Sequence, residues 1–537
     1  MKLCLRVLKQ EKLYILNKKL GKVYRIDLLI YISLILLAVL FCLQSTFSPF
    51  SIGGKEIDDG VFSYFGRAMT YGYTPYVDMF DHKGPVIYFI NFFGHLIGGR
   101  TGVWVMQIIN LAVTLVFCFK TLLLFVRKRW AYLTTIFMLI LMVWCFPPGN
   151  HVEEFAQSFL FISLYIFSQF FMKDENLSKV KLMILGFCFA CVLMLRINMV
   201  ALWAVFCLVI VIKFVKEKKY ARLGKFALWF TVGIMILLVP LVIYLLVVGG
   251  LWECIYQSII FNVAYTGDGV EAESFMTVTK YFANIIISRG NFLGLSILAY
   301  IGCFVQYFKL KKDNDKSKHN FYIFVIAYLI FSVLNFLMLT MSLRRDQHYF
   351  QFYYPAVPVM TAIAFNGIEN FIVKRNYIKS RGLTTVLLAT IMVIFMSHLL
   401  FVGHNNVVKR MTVRDHHLEE ICNVVREYTN EGDEISVYGN DCNIYIDTET
   451  FSSSKYIYQV PIGAVNPSIL EEYLTHLKEK PPKIFILREK SLLQRQSYDI
   501  INQYILGEFQ KDYILVSEIR NNVEGSNVET DIYLRTK

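Results

Sequence analysis

Eleven stretches of this 537-residue chain are apolar over roughly the 20 residues a helix needs to cross the hydrocarbon core of a bilayer. They fall at 27–46, 102–126, 130–146, 155–172, 181–195, 199–212, 226–248, 291–308, 321–341, 350–368 and 382–402. In lipid every backbone N–H and C=O must find its partner within the protein, so such runs are compatible with helices and with little else. The expected fold is therefore a polytopic α-helical membrane protein of about 11 transmembrane helices. Only 18% of the residues are charged, against about a quarter in soluble domains. The runs 181–195 and 199–212 are short and meet at Arg196; joining them would break the alternation of Lys-rich and Lys-poor loops. The stretch 85–98 (PVIYFINFFGHLIG) is too short to span and reads as an interfacial or re-entrant helix on the outer face.

The net charge of +13 is not a nucleic-acid signal, because it is concentrated in one set of loops. The segments 1–26, 127–129, 173–181, 213–225, 309–320 and 369–381 hold 29 Lys and Arg, and the connecting loops of the other set hold 9. By the positive-inside rule the first set is cytoplasmic in a multi-pass plasma-membrane protein, and an odd number of spans places residues 403–537 outside. The basic N-terminus runs into its apolar stretch with no small-residue cleavage site and reads as an uncleaved anchor. Of 11 cysteines, seven lie inside apolar runs, where Cys behaves as a small hydrophobe. A bridge between Cys422 and Cys442 is left open, and no metal-type CxxC spacing occurs.

Residues 1–402 form the transmembrane part and 403–537 an external soluble domain. That tail is acidic, with 15 Lys and Arg against 21 Asp and Glu. Helical stretches alternate with the strand-like EISVYG, KIFILRE and YILVSEI, which predicts a small α/β domain with a partly parallel sheet.

Chemistry is expected in the outer loops, above all in 47–101. This loop carries Asp58, Asp59, Arg67, Asp78, Asp81, His82 and Lys83, and carboxylates beside cations at a membrane surface suit acid–base work next to a phosphate. The competing reading is an ordinary solvated loop. Asp58 and Asp59 are neighbours, so only one of them can face a given pocket. Lys83, in Lys83-Gly84-Pro85, would lie at headgroup depth, as a phosphate ligand or as a snorkelling anchor. Further candidates are Glu153 and Glu154 in PPGNHVEEF, Arg196 in LRINM, and Arg344 and Arg345 in SLRRDQHYF, where a guanidinium suits a lipid phosphate. The acids near Asp58 and His82 would suit a hard divalent cation by ligand type, yet no metal-binding spacing accompanies them, and no metal or other cofactor is expected to be required.

DDGVFSYFGRAM followed by YTPYVDMFDHKGPVIYF resembles the first external loop of the GT-C glycosyltransferases, in the branch of protein O-mannosyltransferases and aminoarabinose transferases. That branch typically carries an Asp-Glu pair after the first span, an Arg in the next helix and a Lys-Pro-Pro-like element. Here these are Asp58-Asp59, Arg67 and Lys83-Gly84-Pro85. The resemblance implies transfer of a sugar, hexosyl or pentosyl, from a polyprenyl-phosphate donor to a lipid, glycan or protein acceptor at the external face, with inversion and without a nucleotide sugar. It assigns Asp58 or Asp59 to catalysis and Lys83, Arg67, Arg344 and Arg345 to the donor phosphate. Asp81, His82, Glu153, Glu154 and Arg196 then support the site or bind the acceptor. The alternatives are a transporter or flippase of a lipid-linked envelope precursor, and a non-catalytic scaffold that binds a glycan. Transporters place ionisable groups at the midplane, whereas these spans hold little charge apart from Lys120 and Arg196.

Overall fold

The computed structural model describes residues 27–52, 57–147, 149–267, 273–288, 292–310, 316–375, 377–378, 380–523 and 526–536. Each of the eleven apolar stretches lies mostly on helix. Among the described residues five helices are long and apolar enough to cross a membrane alone: Asp27–Gln44, Val86–Leu122, Val152–Met172, Tyr220–Val247 and Lys318–Thr340. Two bent pairs, one of them Gln347–Ala356 with Pro358–Lys374 at 57°, bring the number to seven. Lys128–Met142, Lys179–Leu193 and Ala201–Lys216 have 15 or 16 residues, short of a full crossing. The last two are separated at Arg196, where the chain turns extended before a short 3-10 segment. The basic segment 1–26 lies outside the described residues.

The helix Val86–Leu122 is broken at Gly98 and Gly99, and Gly99 takes the left-handed φ of 59°. The two halves fold back so tightly that a Cβ on Gly102 would stand 1.9 Å from Gly94 O. The stretch read as a separate interfacial helix is thus its own helical segment, followed directly by a span. A second close approach joins Lys179–Leu193 to Tyr220–Val247. A Cβ on Gly186 would meet Phe230 O at 1.9 Å, and one on Gly233 would meet Met183 O at 2.0 Å. Small residues at such crossings let backbones approach where lipid supplies no hydrophobic drive.

The Lys/Arg-rich turns are knotted together by two acids, Glu369 and Glu175. Glu369, fully buried, accepts from Arg127 Nη1 (3.1 Å), Arg129, Trp130 Nε1 (3.1 Å) and Thr385 Oγ1 (3.1 Å). Glu175 pairs with Lys213 (3.3 Å) and Lys219 (3.0 Å) and accepts from Asn320 Nδ2 (3.1 Å). Part of the cationic surplus therefore holds helix ends in register.

The C-terminal part is a five-stranded mixed sheet in the order β2-β1-β3-β5-β4. Its strands are β1 (Glu434–Tyr438), β2 (Phe451–Ser452), β3 (Ile484–Leu487), β4 (Tyr513–Val523) and β5 (Ser526–Arg535). β1 runs parallel to β2 and β3, whereas β5 is antiparallel to both β3 and β4. The three expected strands are present. β5 escaped the sequence reading because SNVETDIYLR is mostly polar, and its pairing with β3 and β4 makes it a strand. Cys422 and Cys442 are buried thiols, the latter donating to Ile457 O (3.6 Å), so they form no bridge. The helix Arg381–Thr412 leads into this part.

The sheet domain sits on the Lys/Arg-poor loop 47–101. Arg67 Nη1 donates to Tyr445 O (3.0 Å) and Thr450 O (2.9 Å), and its guanidinium lies 4.6 Å from the Phe451 ring centre. Ser452 N donates to Tyr64 Oη (3.0 Å), and Phe80 N to Lys455 O (2.8 Å).

Candidate active site

The helix Ile57–Thr70 opens on Asp58 and Asp59. The Asp58 side chain lies outside the described residues. Asp59 is buried: Thr46 Oγ1 donates to its Oδ2 (2.7 Å) and Gly60 N to its Oδ1 (3.0 Å). The Asp59 main-chain O accepts from Asn150 Nδ2 (3.2 Å). Asn150, at φ 63°, occupies the left-handed region that Asn tolerates. It exchanges amide hydrogen bonds with Asn91 (3.0 and 3.1 Å) and donates its N–H to Glu154 Oε2 (2.8 Å). Gln107 Nε2 reaches the same Glu154 oxygen (3.3 Å), while its Oε1 accepts from Ser45 Oγ (2.7 Å). Asp59 and Glu154, far apart in sequence, thus belong to one buried polar network that fixes the start of the aspartate helix. Glu154 Oε1 has no hydrogen-bond partner among the described residues.

Glu153 turns the other way and pairs with Arg196. The Arg196 guanidinium lies 4.1 Å from the Tyr349 ring centre and 5.0 Å from that of Phe352. His151 and His348 stack beside this pair with centroids 4.3 Å apart.

The third group is a run of three neighbours. Lys83 Nζ lies 2.9 Å from His82 Nε2, and His82 Nδ1 lies 3.2 Å from Asp81 Oδ1. Asp81 is buried, and accepts from Tyr88 Oη at Oδ2 (2.7 Å) and from Tyr458 Oη at Oδ1 (2.7 Å). Burial alone would raise the Asp81 carboxyl; the hydrogen bond from His82, the Lys83 charge and the Tyr88 hydroxyl outweigh it and hold the group well below the usual carboxylate range. The loop then turns onto the end of another helix, with Val86 N donating to Met194 O (3.4 Å) two residues before Arg196.

Arg344 joins this group through an aromatic ring. Tyr265 packs against His82 with ring centroids 4.4 Å apart and carries the Arg344 guanidinium at 4.5 Å from its centroid. Arg345 is ion-paired with Glu273 (2.6 Å). Glu273, Tyr281, Arg344, Arg345 and Asp346 line a polar cavity of about 380 Å³. A second cavity, apolar and of about 340 Å³, is lined by Trp144, Ile286, Ile297, Tyr300, Phe336 and Phe350 among others. Tyr281 of the first cavity and Ala283–Ile287 of the second share the helix Phe275–Ser288.

Lys83, His82, Asp81 and Arg344 therefore converge, and Asp59 with Glu154, and Glu153 with Arg196, form two further pairs of the same face. Arg67 stands apart, since its Nη1 is spent on main-chain carbonyls of the sheet domain, and Arg345 is held by an acid. Tyr88, Asn150, Gln107, Tyr265 and Tyr458 went unnoticed in the sequence. With 33 tyrosines in the chain no local pattern marks the two that bond Asp81. Among the described residues no group of three or more His, Cys, Asp or Glu gathers closely enough to hold a metal ion.

In overall structure the chain resembles ArnT from Cupriavidus metallidurans bound to undecaprenyl phosphate, at a TM-score of 0.57 and 11% identity over 94% of this chain and 97% of that one. The apo state of the same protein gives 0.57 and 10% over 95% and 98%. The archaeal oligosaccharyltransferase AglB from Archaeoglobus fulgidus follows at 0.49 and 11%, over 93% of this chain and 74% of that one. The chain thus has the fold of the ArnT structures, a membrane-protein fold of the kind that the resemblance of the first loop implies. No curated protein matches the chain by sequence. Residues 20–414 match the family described as "Putative competence-induced protein Ccs4 N-terminal domain", and the chain belongs to that family.

Proposed function

We propose that this protein is a membrane glycosyltransferase that moves a sugar from a polyprenyl-phosphate carrier to an acceptor hydroxyl at the external face. The observation that carries the reading is the meeting of Lys83 and Arg344 around His82 and Tyr265, with Arg344 lining a polar cavity whose wall shares the helix Phe275–Ser288 with an apolar one. A lipid phosphate needs that combination: cations at headgroup depth and apolar space for the chain beneath. The likeness to an ArnT structure that holds undecaprenyl phosphate supports it.

In this reading Asp58 is the general base. Its neighbour Asp59 is occupied by Thr46, Gly60 and the Asn150 network, and adjacent helical residues diverge by about 100°. The acceptor O–H gives its proton to the carboxylate, the oxygen bonds to the anomeric carbon, and the bond from that carbon to the phosphate oxygen breaks. Lys83 and Arg344 take up the charge of the departing polyprenyl phosphate, so the reaction calls for no metal. Glu153 and Arg196 line the approach of the acceptor. The N-terminus is cytoplasmic and the sheet domain external, in keeping with its seat on the Lys/Arg-poor loop.

The test is purified protein in nanodiscs with a panel of radiolabelled polyprenyl-phosphate sugars. Release of polyprenyl phosphate with label passing to an acceptor supports the reading, and Lys83→Ala should abolish donor retention while Lys83→Arg restores part of it, since a guanidinium forks where an ammonium is a point charge. Movement of intact donor between leaflets with no sugar transfer would establish a flippase instead.

A further inference from the structure

We propose that Tyr458, contributed by the sheet domain, is a positioning residue that holds the Lys83 ammonium through Asp81 and His82. The inference rests on the reading of Lys83 as a phosphate ligand.

The direction of each hydrogen bond follows from what each group can do. An ionised carboxylate only accepts, so the His82 proton facing Asp81 belongs to Nδ1. Nε2 then carries the lone pair, and the Lys83 ammonium, which only donates, points one N–H at it. Among the described residues one of its three donors is used, which leaves two for a ligand. A histidine ring turned by a few tens of degrees would carry the Lys83 head with it, so the orientation of Asp81 decides where the cation stands.

Asp81 is held from two sides. Tyr88, from the helix that follows, donates to Oδ2, and Tyr458 donates to Oδ1, the oxygen that also faces His82. Tyr458 Oη is itself 3.4 Å from His82 Nδ1, so it touches both members of the dyad. The backbone around them forms a closed frame. Asp81 N donates to Gln257 Oε1 (3.2 Å), Gln257 Nε2 to Tyr76 O (2.8 Å), and Tyr76 Oη to Lys83 O (2.8 Å). Tyr88, Gln257 and Tyr76 come from the membrane part, and Tyr458 brings the sheet domain into the chain of bonds that ends at Lys83. Its phenol is 5% exposed, and burial with the Asp81 charge pushes its pKa well up, which keeps it a donor. The domain thereby completes the cationic site.

The experiment compares Tyr458→Phe with Tyr64→Phe, because Tyr64 makes an interdomain hydrogen bond to Ser452 N that does not reach Asp81. Full-length protein in nanodiscs is titrated with undecaprenyl phosphate. Tyr458→Phe is expected to weaken binding about three- to tenfold, the net worth of one ordinary hydrogen bond, because the loss reaches Lys83 only through Asp81 and His82, while Tyr64→Phe stays within about twofold. Nitrogen-15 histidine spectra, with His82 assigned by its loss in His82→Gln, give a second readout. The wild type should show the Nδ1-protonated form, and Tyr458→Phe should move that signal. Equal losses in the two tyrosine variants, or none in Tyr458→Phe, overturn the inference. If wild-type protein retains no undecaprenyl phosphate, the phosphate reading fails, and the histidine spectrum then decides the relay by itself: an unmoved His82 signal in Tyr458→Phe overturns it.

Discussion

At the scale of single residues, Asp59 is first of all a structural acid. Asp59 is buried under Thr46 and tied through its main chain to Asn150 and so to Glu154. Asp59→Asn should therefore act first on folding, lowering stability by about 2 kcal/mol as a buried charged acceptor is lost. Thermal unfolding in detergent measures this. Asp58→Asn should leave unfolding unchanged and lower sugar transfer by roughly 10² to 10⁴, the usual worth of a general base; a wild-type rate in Asp58→Asn, with Asp59→Asn inactive but folded, would move the base to Asp59. Asn150 would have been hard to find by reading, because its importance lies in a left-handed backbone that turns its N–H towards Glu154.

Elements of this protein are held by contacts that hydropathy does not reveal. The crossing at Gly186 and Gly233 leaves no room for a Cβ on either side, since each would meet a main-chain oxygen. Gly233→Val should cost about 3 kcal/mol by overpacking and show as lost yield and a lower midpoint of unfolding, whereas Gly224→Ala, with open space at its Cβ, should be silent. Glu175 gives a pH signature at the other end of the same helices. Burial opposes its charge, but hydrogen bonds from Lys219 and Asn320 and the charge of Lys213 win and bring it down to about 2. A depressed acid stabilises above its unfolded value, about 4.3, and loses that contribution as pH falls towards its folded value. Unfolding followed between pH 6 and pH 3 should therefore be less acid-sensitive in Glu175→Gln than in wild type, and the variant should be the weaker of the two at pH 6.

Taken as a whole molecule, the chain sorts its chemistry by side. Glu369 and Glu175 gather the cations of the Lys/Arg-rich turns, while the sheet domain, the aspartate helix and Lys83 share the opposite face. Single cysteines in a background without native cysteines test the orientation. Lys480→Cys should react with an impermeant maleimide on intact cells, and Lys216→Cys only after permeabilisation; the reverse pattern would invert the topology and remove the external site.

Amino-acid order alone determined that the chain is a helical membrane protein, because apolar length and Lys/Arg bias act locally, through transfer of each segment from water to lipid. It also marked Asp58, Asp59, Lys83 and the loop around them, since that run is contiguous. The partners of those residues were decided by tertiary structure only. Tyr458 meets Asp81 across 377 positions, Arg67 meets Thr450 across 383, and Tyr265 brings Arg344 to His82. Hydrogen bonds and ring contacts act over a few ångströms in space whatever the separation along the chain. No periodicity encodes them, and those of Tyr458 and Thr450 exist only once the sheet domain has docked on the first loop.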